Sequence, residues 1–145
     1  MKLVKIPRSR ITEWLKILEI SKKYAVTIRE KLGKASILLH GSYARGDFNL
    51  WSDIDLIIVS DVFRGIRVLD RYELLPLLPR IEPLPLTYDE FLANIKKSAW
   101  VNALKRGLVV IVDDYNLASI LRSKGINVKD YKEFYAFVEK LLKNT

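Results

Sequence analysis

Two aspartates separated by one residue are the side chains of this sequence whose spacing most clearly points to chemistry. Asp53 and Asp55 begin the run DIDLIIVS, which is apolar and β-branched after its first three residues and therefore favours a strand. Residues two apart on a strand point to the same face, so the two carboxylates would repel each other. Mg²⁺ removes such repulsion and is commonly held by one or two carboxylates together with substrate phosphates. The pair therefore indicates a metal site that acts on a phosphate-bearing substrate.

A phosphate-binding turn is indicated at Gly41 and Ser42, which follow the short apolar run ASILLH over residues 35–40. Gly41 has no Cβ, so the chain can turn sharply after this predicted strand and a phosphate can approach the backbone. Ser42 offers an amide and a hydroxyl at a predicted helix start, where anions bind favourably. Arg45 lies one helical turn further and could hold a phosphate oxygen. His40, the last residue of the apolar run, is interpreted as a packing residue.

The motif formed by these residues resembles that of the DNA polymerase beta-type nucleotidyltransferase superfamily. The resemblance rests on Gly41-Ser42, ten intervening residues, and Asp53-Ile54-Asp55 between hydrophobic residues. The run Tyr43-Ala44-Arg45-Gly46 makes the chain similar to the small prokaryotic members called minimal nucleotidyltransferases. The likeness is specific within about residues 36–60 and looser up to residue 90.

This resemblance implies that Gly41 and Ser42 bind an NTP, with ATP as the expected nucleotide, and that the two aspartates bind two Mg²⁺ ions, which Mn²⁺ could replace. The family's third carboxylate, from a later strand, helps to bind one metal and activates the attacking hydroxyl. Glu82 is the candidate in register here. The sequence departs from the family pattern at this point, because the family more often has Asp there and no proline like Pro83 beside it.

The function that this implies is Mg²⁺-dependent transfer of NMP from an NTP to a hydroxyl acceptor, with release of pyrophosphate. The alternative is a weakly active or inactive NTP-binding regulator or antitoxin that binds a helical HEPN-type toxin. The intact Gly-Ser and Asp-x-Asp pieces favour the enzyme, whereas the Glu82-Pro83 departure favours the regulator. The acceptor stays open among small hydroxylated molecules, protein side chains and RNA ends, and so does the base of the NTP.

The remaining pattern predicts the elements that must position these residues. Amphipathic spacing predicts a long helix over about residues 9–32, and two prolines confine the run at 80–86 to a sheet edge or an irregular strand. Thr87 and Glu90 have capping-box spacing, which predicts a helix over about 88–105. A fourth strand at 108–112 and C-terminal helices over about 116–123 and 130–143 complete the order. The prediction is an α/β (α+β) fold with a mixed four-stranded sheet flanked by helices, forming one nucleotidyltransferase domain over 1–145 with a core at about 35–112.

Composition narrows the class of protein. The 145 residues include no cysteine and one histidine, which excludes disulfides, thiolate zinc sites and cysteine nucleophiles. The sequence shows neither a signal-peptide pattern nor an apolar run of membrane-spanning length, so a cytoplasmic protein without a membrane partner is expected. The absence of glutamine, a single methionine and 29% charged residues favour a thermophilic source.

Charge is unevenly distributed along the chain, whose net charge is +8. Basic residues dominate both ends and acidic residues dominate the centre, and a basic surface attracts phosphates or RNA. Lys16, Lys22, Lys23 and Arg29 would form a basic face beside the apolar stripe of the first helix. We expect the acceptor site to be completed by a second copy of the chain or by a helical HEPN-type partner on that face. The alternative is that the stripe packs on the protein's own sheet and the lysines face water.

Overall fold

The computed structural model describes residues 6–145, which form a sheet of five strands with helices on both faces. The strands are β1 (Ser36–His40), β2 (Ile54–Val59), β3 (Ile81–Leu86), β4 (Leu108–Asp113) and β5 (Lys129–Asp130). The helices are α1 (Arg8–Leu32), α2 (Ser42–Arg45), α3 (Val68–Arg71), α4 (Tyr88–Asn94), α5 (Ser98–Lys105), α6 (Leu117–Ser123) and α7 (Tyr131–Lys143), with 3₁₀ turns at Asp61–Phe63 and Tyr72–Leu74. Within this part of the chain, no helix is both long enough and apolar enough to cross a bilayer.

The sheet is mixed, as the sequence predicts, and its strand order is β3-β2-β1-β4-β5. Strand β1 is antiparallel to β2 and β4, whereas β3 is parallel to β2 and β5 is parallel to β4. The predicted count of four strands is wrong by one. The fifth strand has two exposed residues that pair with Val109 and Val110 of β4. It arises from backbone pairing alone and carries no apolar pattern that the sequence could reveal.

Alternating side chains of the sheet divide the interior into two apolar clusters. On one face, residues such as Leu39, Leu56 and Val109 pack against α1 and α7. On the other face, residues such as Leu38 and Ile57 pack against α4, α5 and α6. Because Asp55 precedes Ile57 by two residues on β2, its side chain lies on the face that α5 covers.

The apolar stripe of α1 is buried in the protein's own core. Trp14, Leu18, Tyr24 and Ile28 are among its members, and all are at most 3% exposed. The stripe therefore packs on the protein's own sheet and on α7, which is the alternative that the sequence left open, and a partner on the basic face beside it stays a prediction. Part of the basic face is also engaged within the chain, since Arg29 lies 2.8 Å from Asp114.

The predicted helix over 88–105 is two helices. The capping box at its start is present, because the Thr87 hydroxyl accepts from the Glu90 amide at 3.2 Å and the Glu90 carboxylate accepts from the Thr87 amide at 2.7 Å. The helix ends after Asn94, and Lys97 is extended before α5 begins. This break turns α5 back over the sheet, where Leu104 joins the core. The edge position predicted for the proline-containing strand is confirmed, since β3 is one of the two edge strands of the described sheet.

Candidate active site

The Gly41 turn lies against the carboxylate of Asp55. His40 pairs directly with Asp55 across β1 and β2, so the chain leaving β1 passes beside that side chain. Gly41 has φ 77° and ψ −158°, a conformation that is essentially restricted to glycine. A Cβ at this position would overlap Oδ2 of Asp55 and lie 3.2 Å from its Cγ. Two independent constraints therefore favour glycine at position 41: the backbone conformation, and the lack of space for a Cβ beside the Asp55 carboxylate.

Three carboxylates gather at the same end of β2 and β3. Asp53 immediately precedes β2, and Asp55 is the direct partner of Glu82 in the parallel pairing of β2 with β3. Burial raises the pKa of the half-buried Asp55 carboxyl, and the negative charges of Asp53 and then Glu82 raise it further, whereas Arg45 lowers it. Asp53 and Glu82 are exposed. The arrangement holds like charges close together where a cation would relieve their repulsion.

Ser42 and Arg45 lie on α2, the four-residue helix that follows the Gly41 turn. The helix is fixed to the long N-terminal helix because the Trp14 indole N–H donates a 2.8 Å hydrogen bond to the Tyr43 carbonyl. Arg45 Nε lies 3.1 Å from both carboxylate oxygens of Asp47, which orients the guanidinium at the rim of the site. Arg45 is close enough to lower the pKa of both Asp55 and His40.

His40, interpreted from the sequence as a packing residue, lines an apolar pocket and also lies beside Asp55. It is partly exposed and is the cross-strand partner of Asp55. Burial, followed by the positive charge of Arg45, lowers its pKa to about 4, so the imidazole is neutral at neutral pH. Its ring is the polar member of an otherwise apolar pocket that extends from the site under α5.

Arg80 is a positioning residue that the sequence does not reveal. Its guanidinium donates to the Tyr43 hydroxyl and, at 3.2 Å, to the Ser52 carbonyl, and it lies 3.5 Å from Glu13. Its own carbonyl accepts a 2.6 Å hydrogen bond from the Ile54 amide. Arg80 therefore joins α1, α2 and the segment before Asp53 to the start of β3. Its φ of 71° is unusual for a residue with a side chain, and no local sequence pattern signals it.

The carboxylate cluster fits Mg²⁺ in its chemistry but does not form a complete cage. Among residues 6–145, no group of three or more His, Cys, Asp or Glu side chains is arranged to hold a metal ion alone. Mg²⁺ typically uses one or two carboxylates, with water and substrate phosphates completing its shell. Asp53 and Asp55 could supply such oxygen ligands, and the space that a Cβ of Gly41 would fill keeps Asp55 Oδ2 open toward the turn. The donor set therefore fits a metal that arrives with a nucleotide.

Comparison with known proteins identifies the family of this chain and one solved structure with a similar fold. The sequence profile of the nucleotidyltransferase domain family matches residues 21–143. A crystal structure of a proposed nucleotidyltransferase from Sulfolobus solfataricus has a similar fold, with a TM-score of 0.55, 21% identity, and coverage of 63% of this chain and 85% of that one. No curated protein sequence matches significantly. The chain belongs to the nucleotidyltransferase domain family. It is a transferase whose family implies a nucleotide substrate, as the Gly-Ser and Asp-x-Asp resemblance predicts.

Proposed function

We propose that the protein transfers NMP from an NTP, with ATP as the first candidate, to a hydroxyl acceptor and releases pyrophosphate. The observation that carries this proposal is the contact of the Gly41 turn with Asp55, next to Asp53 and Glu82 at the ends of neighbouring strands. This contact supports the proposal because it brings the predicted phosphate-binding turn next to carboxylate oxygens of the kind that bind Mg²⁺. Nucleotidyl transfer needs both at the same point.

Each residue has a role that follows from its place. The Gly41-Ser42 turn and the Arg45 guanidinium hold the leaving phosphates, and Asp53 and Asp55 would hold two Mg²⁺ ions. Bound Mg²⁺ would neutralise phosphate charge and favour the deprotonated acceptor hydroxyl. Glu82 would bind one of the ions and accept the acceptor's proton. The acceptor oxygen forms a bond to the α-phosphorus as the bond to the bridging oxygen breaks, and pyrophosphate leaves.

Glu82 bears on the choice between enzyme and regulator. Pro83 does not displace the strand, because β3 continues through it in regular parallel register with β2 and pairs Glu82 with Asp55. The third carboxylate is therefore beside the second in spite of the proline. This placement favours an active enzyme over the alternative of an NTP-binding antitoxin.

The test is a screen of the four NTPs with Mg²⁺, Mn²⁺ or EDTA, with pyrophosphate release and labelled product as readouts. We expect metal-dependent release that is lost in Asp53→Asn and Asp55→Asn and retained in Asp70→Asn, whose carboxylate pairs with Arg67 away from the site. Metal-dependent NTP binding without release by the unaltered protein would favour the regulator. If both Asn variants at the site retain full activity, the assignment of these aspartates is wrong.

A further inference from the structure

An apolar pocket of about 160 Å³ opens on the carboxylate face of the sheet. Its floor is formed by His40, Ile57 and Leu84, one from each of three neighbouring strands, and α5 borders it on the side that stays open to solvent at Ala99 and Ala103. No role in binding the triphosphate requires this pocket, because the phosphates are assigned to the turn and the carboxylates. It is a separate feature that begins where the site ends.

The pocket directly adjoins the proposed reaction centre. Ile57 lies two residues beyond Asp55 on β2, and Leu84 lies two residues beyond Glu82 on β3, all on one face. Two residues of strand span about 7 Å. A ligand with its body between the sheet and α5 could therefore reach the carboxylates with a single polar group at its end.

The chemistry of the lining restricts the occupant. Apart from the indole N–H of Trp100, His40 carries the one polar side-chain group among the residues that line the pocket. The polar atoms of a charged group or a nucleobase would find few hydrogen-bond partners on the apolar floor, and burying them against it is costly. A benzene ring fits an apolar cavity of about 150 Å³ in another protein, so the volume is sufficient for one six-membered ring. The lining and volume together favour an uncharged ring with few polar atoms.

We propose that this pocket binds the ring of the acceptor, and that the acceptor is a small uncharged alcohol or phenol. This inference rests on the proposed NMP transfer. In an in-line displacement the attacking oxygen lies opposite the leaving pyrophosphate. The pocket floor spans β1 to β3, and its β3 side, with Leu84 next to Glu82, lies across β2 from the turn that would hold the pyrophosphate. The hydroxyl oxygen bonds to the α-phosphorus, its proton passes to the Glu82 carboxylate, and pyrophosphate departs with the electrons of the broken P–O bond.

The first test measures ring binding without metal or nucleotide. Phenol is titrated into the protein while the methyl signals of Ile57, Leu84 and Ala103 are followed by NMR. We expect these signals to shift, and we expect Ala103→Leu, which fills the pocket, to weaken phenol binding at least about tenfold, the equivalent of about 1.4 kcal/mol. The matched control is Ala93→Leu on an exposed position of α4, which should bind phenol as the unaltered protein does.

The second test concerns the reaction. Benzyl alcohol and phenol should accept NMP better than glycerol, and Ala103→Leu should raise the KM for the ring acceptor about tenfold without changing that for the NTP. If adenosine shifts the pocket methyl signals and phenol does not, the pocket binds the nucleobase and the inference is wrong. Equal phenol affinity in Ala103→Leu and the unaltered protein also overturns it. Phenol binding without pyrophosphate release from any NTP would instead overturn the proposed function, and the acceptor assignment with it, while the ring site itself stands.

Discussion

The substitution Gly41→Ala tests both reasons for a glycine at this turn, the backbone conformation and the close Asp55 carboxylate. The backbone conformation alone costs a residue with a Cβ about 1–3 kcal/mol. The added Cβ also overlaps Oδ2 of Asp55, so the carboxylate must turn away from its present position. The first effect lowers stability, whereas the second removes a proposed metal ligand from its place.

Gly33→Ala is the matched control for this experiment. Gly33 also has a positive φ, 87°, but a Cβ there has no atom within 4 Å. Both variants should therefore lose about 1–3 kcal/mol of unfolding free energy in urea without metal. Calorimetry with Mg²⁺ and a non-hydrolysable ATP analogue should show nucleotide binding at least about tenfold weaker for Gly41→Ala, a loss of about 1.4 kcal/mol.

The comparison has a clear contradicting outcome. If Gly41→Ala binds the analogue within about twofold of Gly33→Ala, the position of Asp55 beside the turn does not matter for binding. The carboxylate would then have no part in holding the nucleotide. A loss of binding in both variants would indicate that it follows general destabilisation, and the specific argument for Gly41 would fail as well.

Three other predictions follow from contacts at and around the site. Arg80→Lys keeps the positive charge but loses the forked guanidinium that donates to several partners, so the unfolding free energy measured in urea should fall by about 1–3 kcal/mol. The control is Arg67→Lys, at a side chain that is 88% exposed, which should change the unfolding free energy by less than about 0.5 kcal/mol. Asp55→Asn removes a carboxylate that burial and its acidic neighbours disfavour, so the metal-free melting temperature should stay the same or rise slightly, and a large decrease would show a structural role. Arg71 holds the pKa of Glu90 at about 2, below the ordinary 4.5, so the unfolded chain takes up the proton first and stability should fall as pH drops from about 4.5 to 2. Glu90→Gln should flatten that part of a pH-dependent urea series, and an unchanged slope would mean that the pair does not contribute.

Local patterns could predict the parts of the site that depend on strand geometry. The two-residue period of a strand places Asp55 and Ile57 on one face, and a glycine at the end of an apolar run indicates a sharp turn. The edge position of β3 follows from its prolines in the same way. These features depend on residues close together in the sequence, so their signal is present in a short window.

The other parts depend on contacts between distant residues. Arg80 joins Tyr43 and Glu13, which are 37 and 67 positions away in the sequence. The pocket under α5 exists because the helix predicted over 88–105 breaks after Asn94 and its second half crosses the sheet. Tertiary packing decided both, and neither leaves a periodic pattern in the sequence.

The two prolines of β3 also determine how the sheet can meet other chains. The carbonyls of Arg80 and Leu86 accept hydrogen bonds from backbone amides at the two ends of β2. The backbone N–H and C=O groups of the even-numbered residues of β3 therefore point toward β2, and those of the odd-numbered residues, including Pro83 and Pro85, point outward. Proline has no amide hydrogen, so the outer edge lacks donors at two successive outward positions. The Pro85 carbonyl also already accepts a 3.2 Å hydrogen bond from Arg71, so an additional strand could not form a continuous ladder there, which protects this edge from aggregation. A protein that approaches the carboxylates from this side must therefore bind through side chains, helices or loops rather than by extending the sheet.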